Sequence, residues 1–508
     1  MKLSLCRYRP SVAQVLMAII VTAFVVSAAS LIDVHALLFS WPDEMSNWFF
    51  ISSQSLKVSQ PLDLVATNLV TPRSMTLASH FLVPVGFVGI PLVYGLLYSI
   101  LGAYVLYVTP LLAGAGIVAM YVLLRRAMGD WRLAVSGAVL VATLPAYWYY
   151  AHFSLLPNIV VCALALIAFA VTPKLGFGVT PKPSLGGAVG LLLALITLIR
   201  PLEMLWIGFL YLLYALYYKK QIPWSQYVLV IAPVIVASIG LLAANRYLYG
   251  SPLAFGYFHT ISQNSSQAIQ ASLPFTFNLK ALGHVFLTYL ISTHWHYFAL
   301  ASFGVVSAYF AWSKKLFWYY ISAVVGVFVI VSALYGTYAY PDTFITQISV
   351  LGISYNRYYL PFFLLLIPFI TQFVSYLITT SRATLIILIA TLFVVVGVNY
   401  SAVYGKASDS IPRIKQSIHE YESIRDAVLR ATPTSSVIVT TRGDKIVFPH
   451  RQVISQYDPS ILDGFEALRL EGISLYYMGY KDERPANLTI SNPQELGYGY
   501  FLYTISHE

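Results

Sequence analysis

Charged residues are scarce in this chain. Only 10% of its 508 residues are Asp, Glu, Lys or Arg, and 58% are apolar, whereas a soluble domain is about one quarter charged. Apolar runs of about 20 residues, long enough to span a bilayer, recur from the start of the chain to about residue 401. The shortage of charge therefore excludes a water-soluble globular protein and predicts a polytopic membrane protein.

Acidic residues are rare throughout this apolar part. Of the 20 acidic residues only seven lie in residues 1–401: Asp33, Asp43, Glu44, Asp63, Asp130, Glu203 and Asp342. The other 13 lie in the remaining 107 residues, together with 11 of the 30 lysines and arginines. This change in composition divides the chain into a predicted transmembrane domain, residues 1–401, and a predicted soluble domain, residues 402–508.

Cysteine is scarce as well, because the chain contains only Cys6 and Cys162. Two cysteines in or beside apolar segments exclude a disulfide framework. The apolar stretch from Val12 to Leu38 is longer than the hydrophobic core of a signal peptide, about 7–15 residues, so we expect it to be retained as the first helix. The net charge of +10 comes from the membrane part, and its distribution gives no indication of nucleic-acid binding.

Hydropathy and charge together predict eleven transmembrane helices with the N-terminus in the cytoplasm. The predicted spans are 12–39, 103–124, 134–150, 157–173, 185–199, 202–218, 226–244, 296–313, 316–335, 358–379 and 383–401. Within residues 1–401 the inner loops then contain 13 lysines and arginines and the outer side six, as the positive-inside rule requires. We therefore expect a multi-pass protein of the cell membrane with residues 402–508 outside the cytoplasm.

The long outer loops and the tail carry further structural signals. Partly apolar stretches at 45–49 and 281–291 are typical of interfacial helices on the outer leaflet. In the tail, apolar residues recur every three or four positions over 411–428, which predicts a helix. Strands are favoured at 436–441, 446–448, 473–478 and 499–505. The predicted fold class is therefore an all-α membrane domain with a small extracytoplasmic α/β domain at its C-terminus.

Asp43 and Glu44 stand side by side where the first helix should leave the bilayer. Carboxylates near hydrocarbon are costly, so this placement favours a functional role. The alternative is that Ser40 caps a helix and the two acids lie in its first turn, where negative charge is stabilising. Both interpretations stay open on spacing alone.

Three arginines depart from the positive-inside pattern, because Arg200, Arg246 and Arg357 lie at outer helix ends. Such side chains often extend to lipid headgroups. The alternative is a phosphate site, since the guanidinium group presents a rigid fork of donors that fits this anion. Arg357, which is followed by Tyr358, is the strongest candidate.

The order of several short motifs resembles the GT-C class of membrane glycosyltransferases, above all the branch of protein O-mannosyltransferases and bacterial aminoarabinose–lipid A transferases. The similar motifs are Pro42-Asp43-Glu44, Gly89-Ile90-Pro91-Leu92-Val93-Tyr94, Arg125-Arg126, Arg200-Pro201, Tyr249-Gly250-Ser251-Pro252-Leu253 and Arg357-Tyr358-Tyr359-Leu360-Pro361. Their order and the predicted topology carry the resemblance, which spans residues 1 to about 380.

The resemblance implies a helical bundle that binds a sugar carried on a polyprenyl phosphate, such as dolichyl or undecaprenyl phosphate. It implies that Asp43 is the catalytic acid and Glu44 its neighbour. Candidates for the lipid phosphate and donor are Arg357, Arg200, Arg246 and Tyr358. Relatives often have an acid near the outer start of the fourth helix, but residues 152–158 contain none. Asp342 is then the candidate for a second carboxylate.

The leaving group decides how many acids such a reaction needs. Hydrolysis of ordinary glycosides usually needs two carboxylates, but a polyprenyl phosphate leaves without being protonated. Asp43 alone could then act as general base on an acceptor hydroxyl, with inversion at the anomeric carbon. An arginine, or a divalent metal ion held by Asp43 and Asp342, would stabilise the departing phosphate. The expected acceptor is a glycan, a lipid or a protein at the outer face of the bilayer.

Two other classes stay open at this point. One is a transporter or flippase of lipid-linked sugars, and the other is a non-catalytic membrane protein whose acids cap helices. Transporters place ionisable residues near the bilayer midplane. The acids of this chain lie mostly at outer helix ends, which favours the glycosyltransferase.

Overall fold

Helices dominate the computed structural model. It describes residues 11–59, 70–78, 80–172, 183–218, 222–254, 278–336, 351–380, 382–455, 465, 468, 472–481 and 489–505. The helices are α1 Val12–Ala28, α2 Pro42–Ser52, α3 Gly89–Leu101, α4 Val108–Met128, α5 Trp131–Thr143, α6 Pro145–Ala151, α7 Pro157–Val171, α8 Pro183–Ile199, α9 Met204–Tyr217, α10 Trp224–Tyr249, α11 Leu279–Val285, α12 Ser292–Ala311, α13 Lys314–Tyr335, α14 Ser354–Tyr358, α15 Leu360–Thr380, α16 Arg382–Tyr404, α17 Ile411–Ala431 and α18 Asp444–Val447.

The apolar helices make this a multi-pass membrane architecture, as the hydropathy predicts. Within the described ranges, five helical segments are long and apolar enough to cross a bilayer: Val12–Leu31, Gly89–Met128, Trp224–Tyr249, Lys314–Tyr335 and Leu360–Thr379. A sixth is formed if the bent pair α5 and α6 counts as one span, and four shorter apolar helices accompany them. The helical membrane fold is confirmed, whereas the count of eleven spans stays a prediction.

Two predicted spans differ from the structure in their shape. The first helix ends at Ala28 and is followed by a 3-10 turn, Ala29–Leu31, so it is shorter than the predicted 12–39. The predicted span 134–150 is broken into α5 and α6, which are bent by 59°. Proline disfavours the helical conformation of the residue before it, and Leu144 before Pro145 is extended at φ −56° and ψ 118°.

Small residues let the membrane helices approach closely. A Cβ atom at Gly304 of α12 would overlap the backbone of Phe369 in α15, and one at Gly190 of α8 would overlap the backbone of Leu229 in α10. Helix pairs in membranes commonly use glycine in this way, since association there depends on close van der Waals packing. These contacts fix the bundle that carries the outer loops.

The segment predicted as the first outer loop, residues 40–102, folds into α2, a small sheet and α3, and its described residues are called the first outer loop below. Strands β1 (Val58–Ser59), β3 (Phe81–Pro84) and β2 (Met75–Ala78) form an antiparallel sheet in the order β1-β3-β2. The helix predicted around residues 45–49 is present as α2, whose buried face includes Met45, Phe50 and Ile51. Its N-cap residue is Trp41, so Ser40 is not the cap.

The tail has the predicted combination of helix and sheet. Helix α17 matches the periodicity, and strands β4 (Val437–Val439), β5 (Gln452–Ile454), β6 (Leu475–Tyr480), β7 (Ile490–Gly497) and β8 (Tyr500–Ile505) form a sheet of order β5-β4-β6-β8-β7. We call this sheet, with α17 and α18, the C-terminal region. The strand predicted at 446–448 is wrong, because residues Asp444–Val447 form the short helix α18. Helix α16 continues past residue 401 to Tyr404, and the domain boundary stays a prediction.

Candidate active site

Asp43 lies in the first turn of α2 and faces a solvent-accessible cavity. Pro42 occupies the start of the helix, where its fixed φ and missing N–H are tolerated. The hydroxyl of Ser74 donates a hydrogen bond of 2.6 Å to Asp43 Oδ1. Ser74 itself adopts the left-handed φ of +63°, a conformation that costs energy and is often found at functional sites. The carboxylate is therefore accessible and held in one orientation.

Arg357, in the last turn of α14, lies beside this carboxylate. Its Nη1 is 3.5 Å from Asp43 Oδ2, and its Nη2 donates a 3.1 Å hydrogen bond to Ser354 Oγ. The guanidinium carbon lies 5.1 Å from the ring centroids of both Trp41 and Tyr358. Its buried Nε has no hydrogen-bond partner among the described residues. The guanidinium thus keeps donor capacity for an anion.

Arg200 reaches the same place from the junction of α8 and α9. Its Nε is 3.5 Å from Glu203 Oε1, and its guanidinium carbon lies 5.0 Å from the centroid of Tyr358. Glu203 is held in turn by Tyr335, whose hydroxyl donates to Oε1 at 2.9 Å. Because Tyr335 also stacks on Tyr358 at 4.3 Å, the two arginines are fixed on one aromatic group. Two buried guanidinium groups so close together favour an anion between them.

Asp43 lies at the junction of two cavities. The smaller, of about 40 Å³, is lined by Asn47, Arg200 and Tyr358 among others. The larger, of about 600 Å³, opens between the first outer loop and the C-terminal region. Asp43, Ser74 and Arg357 line both cavities. A substrate bound in either cavity would therefore meet the same carboxylate.

Glu44 faces away from these cavities, although it is next to Asp43 in sequence. Its side chain is buried and lies near His152 and Ser154, and the Leu155 N–H donates to its Oε1 at 3.4 Å. Burial raises the pKa of Glu44 to about 8. The structure therefore separates the two predicted carboxylates, and only Asp43 faces the cavities.

Two predicted residues remain, Arg246 and Asp342. Arg246 is exposed in the last turn of α10 and lines neither cavity. Asp342 lies outside the described residues. Over the ranges that the structure describes, no three His, Cys, Asp or Glu side chains come together as a metal site. Around Asp43 the neighbours are a serine and arginines, which suit an anion better than a cation.

The structure adds residues that the sequence did not single out. Arg73 Nε and Nη2 donate to Asp444 Oδ1 at 2.9 and 2.6 Å, and the Arg73 N–H donates to Oδ2 at 2.9 Å. Lys445 Nζ donates to the Ser40 carbonyl at 2.6 Å, and burial lowers the pKa of Lys445 to about 8. These contacts join the first outer loop to the C-terminal region. Because about 370 residues separate the partners, no local pattern could reveal them.

Comparison with solved structures identifies the fold. ArnT from Cupriavidus metallidurans, in a crystal structure bound to undecaprenyl phosphate, matches with a TM-score of 0.57 at 12% identity over 96% of this chain and 97% of that chain. Its apo structure matches with a TM-score of 0.55 at the same identity over 97% and 98%. The arabinofuranosyltransferase AftD from Mycobacteria matches with a TM-score of 0.52 at 13% identity, over 98% of this chain and 42% of its own length.

These structural neighbours are GT-C glycosyltransferases, so the fold expected from the resemblance is confirmed. At this level of identity the likeness establishes the fold alone. No protein-family model and no curated protein sequence matches the chain.

Proposed function

We propose that the protein is an inverting glycosyltransferase that transfers a sugar from a polyprenyl-phosphate donor to an acceptor at the outer membrane face. The observation that carries this proposal is the position of Asp43 at the junction of two cavities, with Arg357 and Ser74 lining both. The smaller cavity would hold the donor phosphate and the larger one the acceptor, so that the acceptor hydroxyl meets the anomeric carbon beside the carboxylate.

The donor phosphate would bind in the smaller cavity, between Arg200 and Arg357. Both guanidinium groups are held on the ring of Tyr358, at 5.0 and 5.1 Å from its centroid. Ordered donors that surround a developing negative charge stabilise it without reorganisation during the reaction. The structure of ArnT with undecaprenyl phosphate, on the same fold, supports a lipid phosphate as the ligand class.

Asp43 would act as the general base. As the acceptor oxygen bonds to the anomeric carbon, its proton passes to Asp43 and the bond from that carbon to the phosphate oxygen breaks. Attack opposite the phosphate inverts the anomeric centre, and the polyprenyl phosphate leaves with its charge balanced by the arginines. The Ser74 hydroxyl, at 2.6 Å from Oδ1, keeps the carboxylate aimed. A base positioned in this way typically contributes a factor of about 10²–10⁴.

The charge distribution supports the orientation of the chain. With the N-terminus in the cytoplasm, 13 basic residues of the predicted transmembrane domain, residues 1–401, lie on the inner side and six on the outer side. Asp43 and the soluble domain, residues 402–508, would then both lie outside the cytoplasm. The membrane that the chain spans would be the cell membrane. The acceptor, whether glycan, lipid or protein, would approach from that side.

The test is sugar transfer in proteoliposomes that contain the purified chain. The donor is a radiolabelled undecaprenyl-phosphate sugar, and the acceptor is supplied as an extract of the glycans, lipids and proteins found at the outer face of the bilayer. We expect the unsubstituted protein to release polyprenyl phosphate from this donor when the extract is added. Asp43→Asn should lower the rate by at least about 100-fold, because the base is lost. The control is Asp33→Asn, since Asp33 only accepts hydrogen bonds from the His35 and Ala36 backbone within its own turn. Equal rates for Asp43→Asn and the unsubstituted chain would contradict the proposal.

A further inference from the structure

The wall of the larger cavity opposite Asp43 is built by the C-terminal region. Tyr480 at the end of β6 and Tyr500 at the start of β8 both line it, as do Arg442 and Lys445. Ser408 and Ser417 line the same space. At about 600 Å³ the cavity has the size of a site for a ligand of two or more sugar rings.

Tyr480 presents an exposed ring on this wall, and the buried ring of Tyr500 packs against it. Tyr480 and Tyr500 are directly paired across the strands β6 and β8, with ring centroids 4.3 Å apart and planes tilted by 42°. Tyr480 keeps 43% of its surface exposed although it is a large aromatic residue. An aromatic ring with one free face and a polar hydroxyl binds ligands that are apolar on one side and polar at the edge.

The hairpin between β7 and β8 holds this surface rigidly. Gly497 pairs with Tyr500 across a two-residue turn made by Tyr498 and Gly499, whose φ values are +55° and +81°. Such turns match the twist of the strands that they connect. The aromatic wall is therefore preformed, which limits the entropy that a ligand loses on binding.

The same wall is positively charged. Among the described residues no carboxylate lies within ion-pair distance of the Arg442 or Lys445 side chains. The neighbouring Asp444 is already occupied by Arg73. Of the acids that line the cavity, Asp43 is paired with Arg357, and Asp409 accepts a hydrogen bond from the Gly352 N–H. The wall thus offers positive charge to a ligand.

We propose that this wall is the acceptor subsite and that the acceptor is a saccharide that carries negative charge. This inference rests on the proposed glycosyltransferase function and deepens it. A pyranose ring has an apolar C–H face that can lie on the exposed ring of Tyr480 and hydroxyl groups that can bond to Ser408 and Ser417. A carboxylate or phosphate on the saccharide would reach Arg442 and Lys445.

The test is binding of the purified, detergent-solubilised full chain to a printed array. The array carries oligosaccharides that bear uronic acid, sialic acid or phosphate, their neutral counterparts, and a panel of peptides. We expect binding to charged saccharides only. Tyr480→Ala and Arg442→Ala should each lower that signal at least tenfold, and Tyr498→Ala should leave it unchanged, because Tyr498 is an exposed tyrosine of the same hairpin outside the cavity lining.

The outcomes separate this inference from the function on which it rests. Binding to peptides alone, equal binding to neutral and charged saccharides, no saccharide binding, or equal signals for Tyr480→Ala and the unsubstituted chain would each overturn the inference. Binding of undecaprenyl phosphate is measured on the same preparation of the unsubstituted chain. If the lipid phosphate does not bind while charged saccharides do, the donor part of the proposed function is wrong and the saccharide site stands.

Discussion

The buried carboxylate of Asp444 connects the two parts of the molecule that enclose the larger cavity. It has no exposed surface and accepts three hydrogen bonds from Arg73. We predict that Asp444→Asn weakens this contact by about 2–3 kcal/mol. Removing one partner of a fully buried ion pair costs about 3–5 kcal/mol, but the Arg73 side chain is 26% exposed, so water recovers part of that loss.

The contact can be measured by hydrogen–deuterium exchange with mass spectrometry. If local opening controls exchange, a loss of about 2–3 kcal/mol speeds exchange about 30- to 150-fold. The acceleration should be confined to peptides that cover residues 73–78 and 443–447. The matched control is Asp426→Asn, because Asp426 is 51% exposed and pairs with the neighbouring Arg425 at 3.3 Å. An exposed pair of this kind is worth less than about 1 kcal/mol.

Two results would refute this reasoning. Exchange in both peptides that stays within twofold of the unsubstituted chain would show that the ion pair does not hold the contact. An equal acceleration in Asp426→Asn would show that loss of charge anywhere in the C-terminal region loosens it.

Glu44→Gln and Gly89→Ala test the packing around the site. Burial favours the neutral form of Glu44, so its contribution to the free energy of unfolding is fully present below about pH 4.5. That contribution is lost as the pH rises through the raised pKa of about 8. Melting temperatures should therefore fall between pH 5 and 9 in the unsubstituted chain more than in Glu44→Gln, and equal pH slopes would count against this. Gly89→Ala should cost about 1–3 kcal/mol, because its Cβ would overlap the Leu198 backbone, whereas Gly95→Ala in the same helix has open space. Thermal unfolding in detergent compares the two glycine variants, and equal stabilities would contradict the account.

Much of the donor side of the site could be predicted from the sequence. Asp43, Arg200, Arg357 and Tyr358 were all predicted at outer helix ends, and the structure brings them to one cavity. Topology explains this result, because a helical bundle gathers the ends of its helices at the same level. Arg246 was also predicted at an outer helix end, but it lines neither cavity. Hydropathy predicts the depth at which a helix ends, and it does not predict where that helix lies around the bundle.

The separation of Asp43 from Glu44 was also accessible in principle. Successive residues on a helix point about 100° apart, so two adjacent acids in the first turn of α2 need not face the same cavity. A helix with both acids in its first turn was one of the two interpretations that the sequence left open for this pair. The structure shows that both acids lie in the first turn, and only Asp43 lines the cavities.

The residues of the proposed acceptor side could not be predicted, because they meet through contacts between distant parts of the chain. Ser74 reaches Asp43 across 31 positions and Lys445 reaches Ser40 across 405. Helical and strand periodicity reports which face of an element is apolar, and it does not report which elements meet. The strand predicted at 446–448 failed for a related reason, since Asp444 at the start of α18 is fixed by Arg73 from the first outer loop.

The most direct test of the account compares donor binding with sugar transfer in Asp43→Asn. Native mass spectrometry gives the affinity for an undecaprenyl-phosphate sugar, and a single-turnover assay with labelled donor gives the rate of transfer. If Asp43 is the base and the arginines hold the phosphate, the variant binds the donor within about threefold of the unsubstituted chain and transfers at least about 100-fold more slowly. Transfer at the unsubstituted rate, or loss of donor binding equal to the loss of transfer, would contradict the central claim.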